Sequence, residues 1–270
     1  MYETFYGMTR TPFSRNVPPE ALYESAAMAD TLGRLAYAAD RQFFAVVTGD
    51  AGCGKSTIIR RFVSSLPKEE YIFLYLSDSK LTPRWFYKGM LDQLGIESRF
   101  YRGDAKRQLQ KEVEVIRGVQ GKKVVCILDE AHLLEKETIE EFRFLLNYRF
   151  DSMSPMALVL VGQTELWDKL RLQRYAAVRQ RIDISCVLPH LDRSETEKYI
   201  RTHLIYARGK EEIFTDKALD DIHRESTGIP RRINRICEKS LMYASQQGKR
   251  LIDEHLVNYI VEHEMLGGGI

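Results

Sequence analysis

One segment of the chain has the residue types and the spacing that bind the phosphate groups of a nucleotide. It fits the pattern G-x-x-x-x-G-K-[ST] and consists of Gly49, Asp50, Ala51, Gly52, Cys53, Gly54, Lys55 and Ser56, followed by Thr57. The glycines let backbone N–H groups wrap around phosphate oxygens where a helix begins. Lys55 adds positive charge for the β and γ phosphates, and the Ser56 hydroxyl is a candidate ligand of Mg²⁺. The segment therefore predicts a P-loop that binds ATP and Mg²⁺.

Two adjacent carboxylates are the second chemical feature of the sequence. Asp129 and Glu130 end an apolar run, and the carboxyl ends of parallel strands form the edge where open α/β sheets bind ligands. Because neighbours on a strand point to opposite sides, we expect Asp129 to reach Mg²⁺ through water and Glu130 to polarise the water that attacks the γ-phosphate. An apolar run ending in Asp-Glu is also common where a strand simply meets solvent. The P-loop favours the catalytic interpretation.

Short apolar runs alternate with amphipathic stretches up to residue 188. The runs that predict buried strands are 43–48, 71–77, 123–129, 156–162 and 183–188. The stretches with helical spacing are 54–65, 83–94, 104–118 and 138–149. This alternation predicts an α/β fold with a five-stranded parallel sheet flanked by helices.

The pattern changes after Pro189, where only helical segments follow. These segments are 194–208, 215–226, 230–245 and 253–263. Ser194, Thr215 and Asp253 are the predicted N-caps, and Ser194 has a glutamate three residues later, the spacing of a capping box. We therefore expect a nucleotide-binding α/β domain over 1–190 and a small all-helical domain over 191–270.

The composition excludes several other classes of protein. The 40 Lys plus Arg residues and 38 Asp plus Glu residues give a formal net charge of +2, and 44% of the residues are hydrophobic. These values exclude a polybasic tail protein and a disordered chain. No apolar run reaches the ~18–20 residues of a membrane-spanning helix, and the N-terminus lacks the apolar region of a secretory signal. We therefore expect a cytoplasmic protein without membrane contact.

Together these motifs resemble those of the AAA+ ATPases, in which the helical domain is a lid. The resemblance implies that Gln163, after the fourth strand, is the polar sensor that orients the lytic water, although many members have Asn or Thr there. It also implies that Arg231 in the segment GIPRRIN is the lid arginine that touches the γ-phosphate. The alternatives are an ordinary loop residue for Gln163 and a solvated side chain for Arg231.

The segment AAVRQRIDI is similar to the one that carries the arginine finger of AAA+ proteins. The finger reaches the γ-phosphate bound by a neighbouring subunit, so the resemblance implies a homo-oligomer, either a ring or a filament. Arg179 and Arg181 are the candidates, with Arg181 preferred. The alternative is a pair of solvated arginines near a helix end.

Further segments resemble one branch of the family: Phe5-Tyr6-Gly7, Pro12-Phe13, VGQTEL, RQRI and GIPRRINRIC. That branch contains the ExeA-like ATPases of the general secretion pathway and the transposition-helper ATPases of the TniB and TnsC type. The secretion members continue into a membrane-spanning segment and a cell-wall-binding region, and the 270 residues contain neither. We therefore expect a transposition helper that assembles on double-stranded DNA and recruits a DDE-type transposase. The alternative is an ExeA-like ATPase that acts on protein partners.

One segment is locally basic and offers a candidate DNA contact. Residues 97–111 contain the basic residues Arg99, Arg102, Lys106, Arg107 and Lys111, with Phe100 and Tyr101 between them. Such a patch could bind phosphates with little sequence preference. A solvated helix face explains the same residues equally well.

Overall fold

The computed structural model describes residues 2–14, 16–78, 81–145 and 154–265. The chain divides into two compact units. An α/β unit contains Met28–Ala51 and Lys55–Leu188, and a helical unit contains Met1–Ala27, Gly52–Gly54 and Pro189–Ile270. Within the described residues, no helix combines the length and the apolar character needed to span a membrane.

The α/β unit is built on a five-stranded parallel sheet, as the sequence predicts. Its strands are β1 (Phe44–Thr48), β2 (Tyr71–Leu76), β3 (Lys123–Leu128), β4 (Ala157–Gly162) and β5 (Ile184–Val187). They lie in the order β2-β3-β4-β1-β5, so β1 and β3 lie on either side of β4. All three of these inner strands have nearly continuous apolar sequences because helices cover both faces of a parallel sheet.

Helices account for most of the remaining described residues. In chain order they are α1 (Tyr2–Tyr6), α2 (Ala26–Arg41), α3 (Lys55–Ser65), α4 (Pro83–Gln93), α5 (Arg102–Gly118), α6 (Lys136–Leu145), α7 (Glu165–Arg171), α8 (Ala176–Arg179), α9 (Arg193–Tyr206), α10 (Asp216–Ser226), α11 (Pro230–Gln246) and α12 (Glu254–Ile260). Of the predicted helix 138–149, residues 146–149 lie outside the described residues. The sequence patterns did not predict four of these helices, α1, α2, α7 and α8.

The core of the α/β unit joins the sheet to helices α4, α5 and α6. Phe86 and Phe142 are fully buried, and their rings meet edge to face with centroids 5.6 Å apart. Burying an aromatic side chain contributes roughly 1.5–3 kcal/mol. This packing fixes α4 and α6 against the sheet that carries the candidate site.

The helical unit has its own core, and the start of the chain contributes to it. Tyr2, Met8 and Phe13 are buried in one cluster with residues of α9 to α12. The Thr9 N–H also donates to the Ala207 carbonyl at 3.0 Å. The N-terminal segment therefore groups with the helical unit, whereas we expected it to belong to the α/β domain over 1–190.

The helix starts of this unit test the predicted N-caps. The Thr215 and Asp253 side chains accept hydrogen bonds from backbone N–H groups of α10 and α12, which confirms both. Ser194 was wrong. Asp192 is the N-cap of α9, and it forms a reciprocal capping box with Glu195. An acceptor and a glutamate stand three residues apart at both 192/195 and 194/197, so spacing alone did not distinguish them.

Candidate active site

The P-loop follows β1, and its lysine lies against the loop backbone. The Lys55 ammonium donates to the Gly49 carbonyl at 2.7 Å and to the Asp50 carbonyl at 3.0 Å. Lys55 is buried although it carries a charge. These carbonyls are neutral acceptors, and phosphate oxygens form stronger, charge-assisted hydrogen bonds with an ammonium group. The geometry keeps Lys55 folded over the loop where phosphates would bind.

Ser56 and Asp129, the two predicted magnesium ligands, lie next to each other. The Ser56 hydroxyl donates to Asp129 Oδ2 at 3.5 Å, and Asp129 is buried at the end of β3. A hydroxyl and a carboxylate are the hard oxygen ligands that Mg²⁺ prefers. The two side chains therefore fit a magnesium ion as first-coordination or water-mediated ligands.

Tyr75 is a contact of Asp129 that the sequence analysis missed. Its hydroxyl donates to Asp129 Oδ2 at 2.8 Å, and burial together with this hydrogen bond raises the pKa of Tyr75. Tyr75 lies near the carboxyl end of β2, the strand that pairs with β3. A partial signal was available, because Tyr75 is the next-to-last residue of β2 and Asp129 directly follows the neighbouring strand β3.

Glu130 differs from the expectation in how it is positioned. Strand β3 ends at Leu128, so strand alternation does not set the direction of the Glu130 side chain. Instead Glu130 has a left-handed backbone with φ of 53°, and its N–H donates to Asp129 Oδ1 at 2.8 Å. Its side chain is 45% exposed. A left-handed glutamate is strained, and such strain often occurs at functional sites.

Gln163 lies just after β4 and contacts a histidine that sequence reasoning did not select. Its side-chain amide lies 3.1 Å from His132 Nε2, and its backbone N–H donates to His132 Nδ1 at 3.4 Å. His132 Nδ1 also lies 3.6 Å from Glu130 Oε2. Gln163 therefore contacts both ring nitrogens of His132, and Glu130 lies near one of them, Nδ1.

The residue after Gln163 links the same edge to the P-loop. The Thr164 hydroxyl donates to Asp50 Oδ1 at 2.5 Å. Asp50 comes directly after the first P-loop glycine, so this bond connects the end of β4 to the loop that follows β1. The sequence contains no spacing pattern that would have predicted this pair.

Arg179 and Arg181 have different surroundings. The Arg179 guanidinium donates to the Leu170 carbonyl at 2.9 Å and to the Arg171 carbonyl at 2.7 Å, which satisfies the end of α7. Arg181 is half-buried, two residues beyond the end of α8. Arg179 therefore has a structural role within its own chain, and Arg181 stays the preferred prediction for an arginine finger.

The helical unit contains Arg231 together with the P-loop residue Gly52. The Arg231 N–H, in the first turn of α11, donates to the Gly52 carbonyl at 3.3 Å. Gly52 has φ of +91°, and a Cβ added to it would lie 2.8 Å from the Arg231 Cβ. Only glycine fits this backbone and this close approach. The role of Arg231 as a lid arginine stays a prediction.

The comparisons with known proteins agree with this geometry. Residues 39–170 match the protein family described as AAA domain. The chain is also similar to the General secretion pathway protein A of Aeromonas hydrophila, with 34% identity over 259 residues. That match covers 93% of this chain and 46% of the relative, so the chain spans about half of the relative's length.

Solved structures share the fold at low sequence identity. The ORC2 protein of Aeropyrum pernix, solved as ADPNP-ADP complexes, has a TM-score of 0.73 at 16% identity and covers 97% of this chain and 72% of its own. Drosophila ORC bound to DNA has a TM-score of 0.71 at 16% identity and covers 98% of this chain and 66% of its own. The chain therefore shares the fold of these two solved structures, and its residues 39–170 match the AAA domain.

Proposed function

We propose that this chain binds and hydrolyses ATP with Mg²⁺ and that the nucleotide controls its assembly. The observation that carries the proposal is the convergence of Lys55, Ser56, Asp129 and Glu130 at the carboxyl ends of β1 and β3. Similarity to AAA+ proteins supports it. Open parallel sheets bind ligands at this edge.

The proposed roles follow from the chemistry of each side chain. Residues 49–57 cradle the phosphates, and Lys55 neutralises charge on the β and γ groups. Ser56 and Asp129 hold Mg²⁺, which neutralises phosphate charge when it is bound. Glu130 accepts a proton from the attacking water, and Gln163 orients that water. Half-exposure of Glu130 leaves its carboxylate open to a water molecule.

Two arginines complete the proposed site, Arg181 from a neighbouring subunit and Arg231 from the lid. An arginine that touches the γ-phosphate stabilises charge in the transition state. A finger supplied by a second copy makes hydrolysis depend on assembly into a homo-oligomer, whether ring or filament.

The first candidate target of the oligomer is double-stranded DNA. Ion pairs offset part of the positive charge of the predicted basic segment. Arg102 and Lys106 lie 3.2 and 3.7 Å from the Glu141 carboxylate, and Arg107 pairs with Asp104. Burial lowers the pKa of Lys106. Arg99 and Lys111 are exposed and form no salt bridge with another described residue, whereas Arg102 and Arg107 are exposed but paired.

Exposed aromatic residues add to this surface. Phe100 and Tyr101 are 68% and 71% exposed, and the Arg84 guanidinium lies 4.2 Å from the Phe100 ring centroid. Lys88 lies over the exposed Trp85 ring in the same way. Cations held over aromatic rings suit contact with a phosphate backbone. We propose that this surface contacts DNA in a transposition helper that recruits a DDE-type transposase.

The second candidate is an ExeA-like ATPase that acts on protein partners. The 34% identity to a General secretion pathway protein A favours it. Both candidates use the same ATP site, so they differ only in what the assembled form binds. A DNA-binding measurement separates them.

The deciding experiment measures fluorescence anisotropy of a labelled random-sequence duplex against the protein. It is run with a non-hydrolysable ATP analogue, with ADP and without nucleotide, at two salt concentrations. The DNA-associated function predicts salt-sensitive binding with the ATP analogue alone, and loss of that binding in Lys55→Ala. Absence of binding in every state, in protein shown separately to bind nucleotide, would contradict it and favour the protein-directed function.

A further inference from the structure

His132 is the one histidine of the described residues that contacts both candidate catalytic residues Glu130 and Gln163. It lies in the short turn Ala131–Leu133 that follows β3, and its side chain is only 10% exposed. A nearly buried imidazole has little freedom to move. Its two ring nitrogens therefore hold fixed positions relative to both neighbours.

We infer that His132 is a positioning residue that connects Gln163 to Glu130. In this arrangement the Gln163 side-chain amide donates to His132 Nε2 at 3.1 Å, and the His132 Nδ1–H faces the Glu130 carboxylate. Nδ1 lies 3.6 Å from Glu130 Oε2, an electrostatic contact that becomes a hydrogen bond when the half-exposed Glu130 side chain moves closer. The inference rests on the proposed function, because it assigns Glu130 its role in ATP hydrolysis.

The tautomer of His132 determines whether the connection is complete. With the proton on Nδ1, the imidazole accepts the Gln163 side-chain amide at Nε2 and directs its own N–H toward Glu130. With the proton on Nε2, Nδ1 instead accepts the Gln163 backbone N–H at 3.4 Å, and Glu130 loses its donor. A movement of the Gln163 side chain thus changes what His132 offers to Glu130.

A lysine holds the turn that carries His132. The Lys169 ammonium, on α7, donates to the His132 carbonyl at 2.6 Å and to the Leu134 carbonyl at 2.9 Å. Gly162, at the end of β4, lets β4 approach the turn that carries His132, because a Cβ there would lie 3.1 Å from the His132 backbone nitrogen. The end of β4 and the turn after β3 are therefore fixed to each other around the imidazole.

The test replaces His132 with leucine and with asparagine. His132→Leu keeps a similar bulk but removes both polar ring nitrogens, and His132→Asn places an amide nitrogen where Nδ1 lies. We expect His132→Leu to lower kcat by about 10- to 100-fold while the Kd for ATP stays unchanged, since misplacement of a catalytic group costs about that much. His132→Asn recovers most of the loss because it can still donate to Glu130. His255→Asn, at an exposed position, is the matched control.

A second readout separates positioning from simple structural support. Adding Gln163→Ala should lower kcat in the wild-type background but have little further effect in His132→Leu, because the connection is already broken. In nucleotide-free protein with ¹⁵N-labelled histidine, Gln163→Ala should shift the His132 Nε2 resonance, which is assigned by its loss in His132→Asn.

These outcomes also separate the inference from the proposed function. If the wild-type protein hydrolyses ATP and His132→Leu does so at the same rate, the inference is overturned. If the wild-type protein hydrolyses no ATP, the proposed function fails, and the NMR measurement still tests the contact between Gln163 and His132. An unchanged His132 resonance in Gln163→Ala would contradict that contact.

Discussion

The carboxyl edge of the sheet and the basic segment 97–111 were both predicted from charged residues, and the structure treats them differently. At the edge, Ser56 lies beside Asp129, which is adjacent to Glu130 in the chain. In the basic segment, Arg102 and Lys106 turn to Glu141, a residue of α6. A parallel sheet brings its strand ends together by topology, whereas the partner of a surface charge depends on packing that spacing does not encode.

The largest effect is expected from the charge at the phosphate loop. Replacing the buried ammonium in Lys55→Ala removes a charge-assisted contact with phosphate, so ATP affinity should fall by about 10- to 100-fold. Calorimetry of ATP binding measures it. The matched control is Lys68→Ala at an exposed position, and an equal loss of affinity in both variants would contradict a specific role for Lys55.

Adding a methyl group to a glycine should weaken ATP binding in the P-loop but not in the basic segment. In Gly52→Ala, the left-handed φ of +91° and the 2.8 Å approach to Arg231 strain the P-loop, and ~1–2 kcal/mol of strain predicts about tenfold weaker ATP binding. Gly103, in the basic segment, has nothing within 4 Å of an added Cβ. Gly103→Ala should leave ATP binding unchanged in the same titration. Equal ATP affinity in both variants would show that the loop accommodates the methyl group.

The basic segment should respond in stability instead of ATP affinity. Glu141 is buried, accepts the Tyr87 hydroxyl at 2.5 Å and pairs with Arg102 and Lys106. Glu141→Gln removes the charge that these cations face, so the free energy of unfolding in urea should fall by about 1 kcal/mol. Glu140 is half-exposed and its partner is the surface Lys136 at 3.5 Å, so Glu140→Gln should change the free energy of unfolding by less than ~0.5 kcal/mol. Equal effects would mean that the pairing does not stabilise the unit.

The smallest expected effect concerns DNA. Arg99→Ala and Lys111→Ala should each lower the slope of log K against log salt by about 1, because each removes one phosphate contact. Arg102→Ala should change the slope less, since its guanidinium lies 3.2 Å from the Glu141 carboxylate. Anisotropy titrations at several salt concentrations compare the three variants. A larger change in this slope for Arg102→Ala than for Arg99→Ala and Lys111→Ala would contradict the assignment of Arg99 and Lys111 as the phosphate contacts.

The sequence predicted the parallel sheet and the positions of its strands closely. The apolar runs are nearly continuous in the inner strands because both faces of the sheet are covered, and such runs are readable without a structure. The P-loop and Asp129 were predictable for a related reason. Strand ends on one sheet share one edge, so residue order along the chain is enough to place Ser56 near Asp129.

What the sequence did not predict depends on contacts between segments that are distant along the chain. Tyr75 and Thr164 bond to Asp129 and Asp50, and neither bond follows a motif. His132 follows β3 and Gln163 follows β4, so their contact can be seen only once the strand order shows that β3 and β4 are neighbours. Burial of the N-terminal aromatic residues in the helical core likewise depends on packing that no periodicity reveals.

The measurement that most directly tests this account compares phosphate release by the wild-type protein and by Glu130→Gln, with the Kd for ATP measured on the same preparations. The amide keeps the shape of the side chain and removes the proton acceptor, so turnover should fall by about 100-fold or more while ATP binding is unchanged. Turnover of Glu130→Gln at the wild-type rate would contradict the assignment of Glu130 as the base.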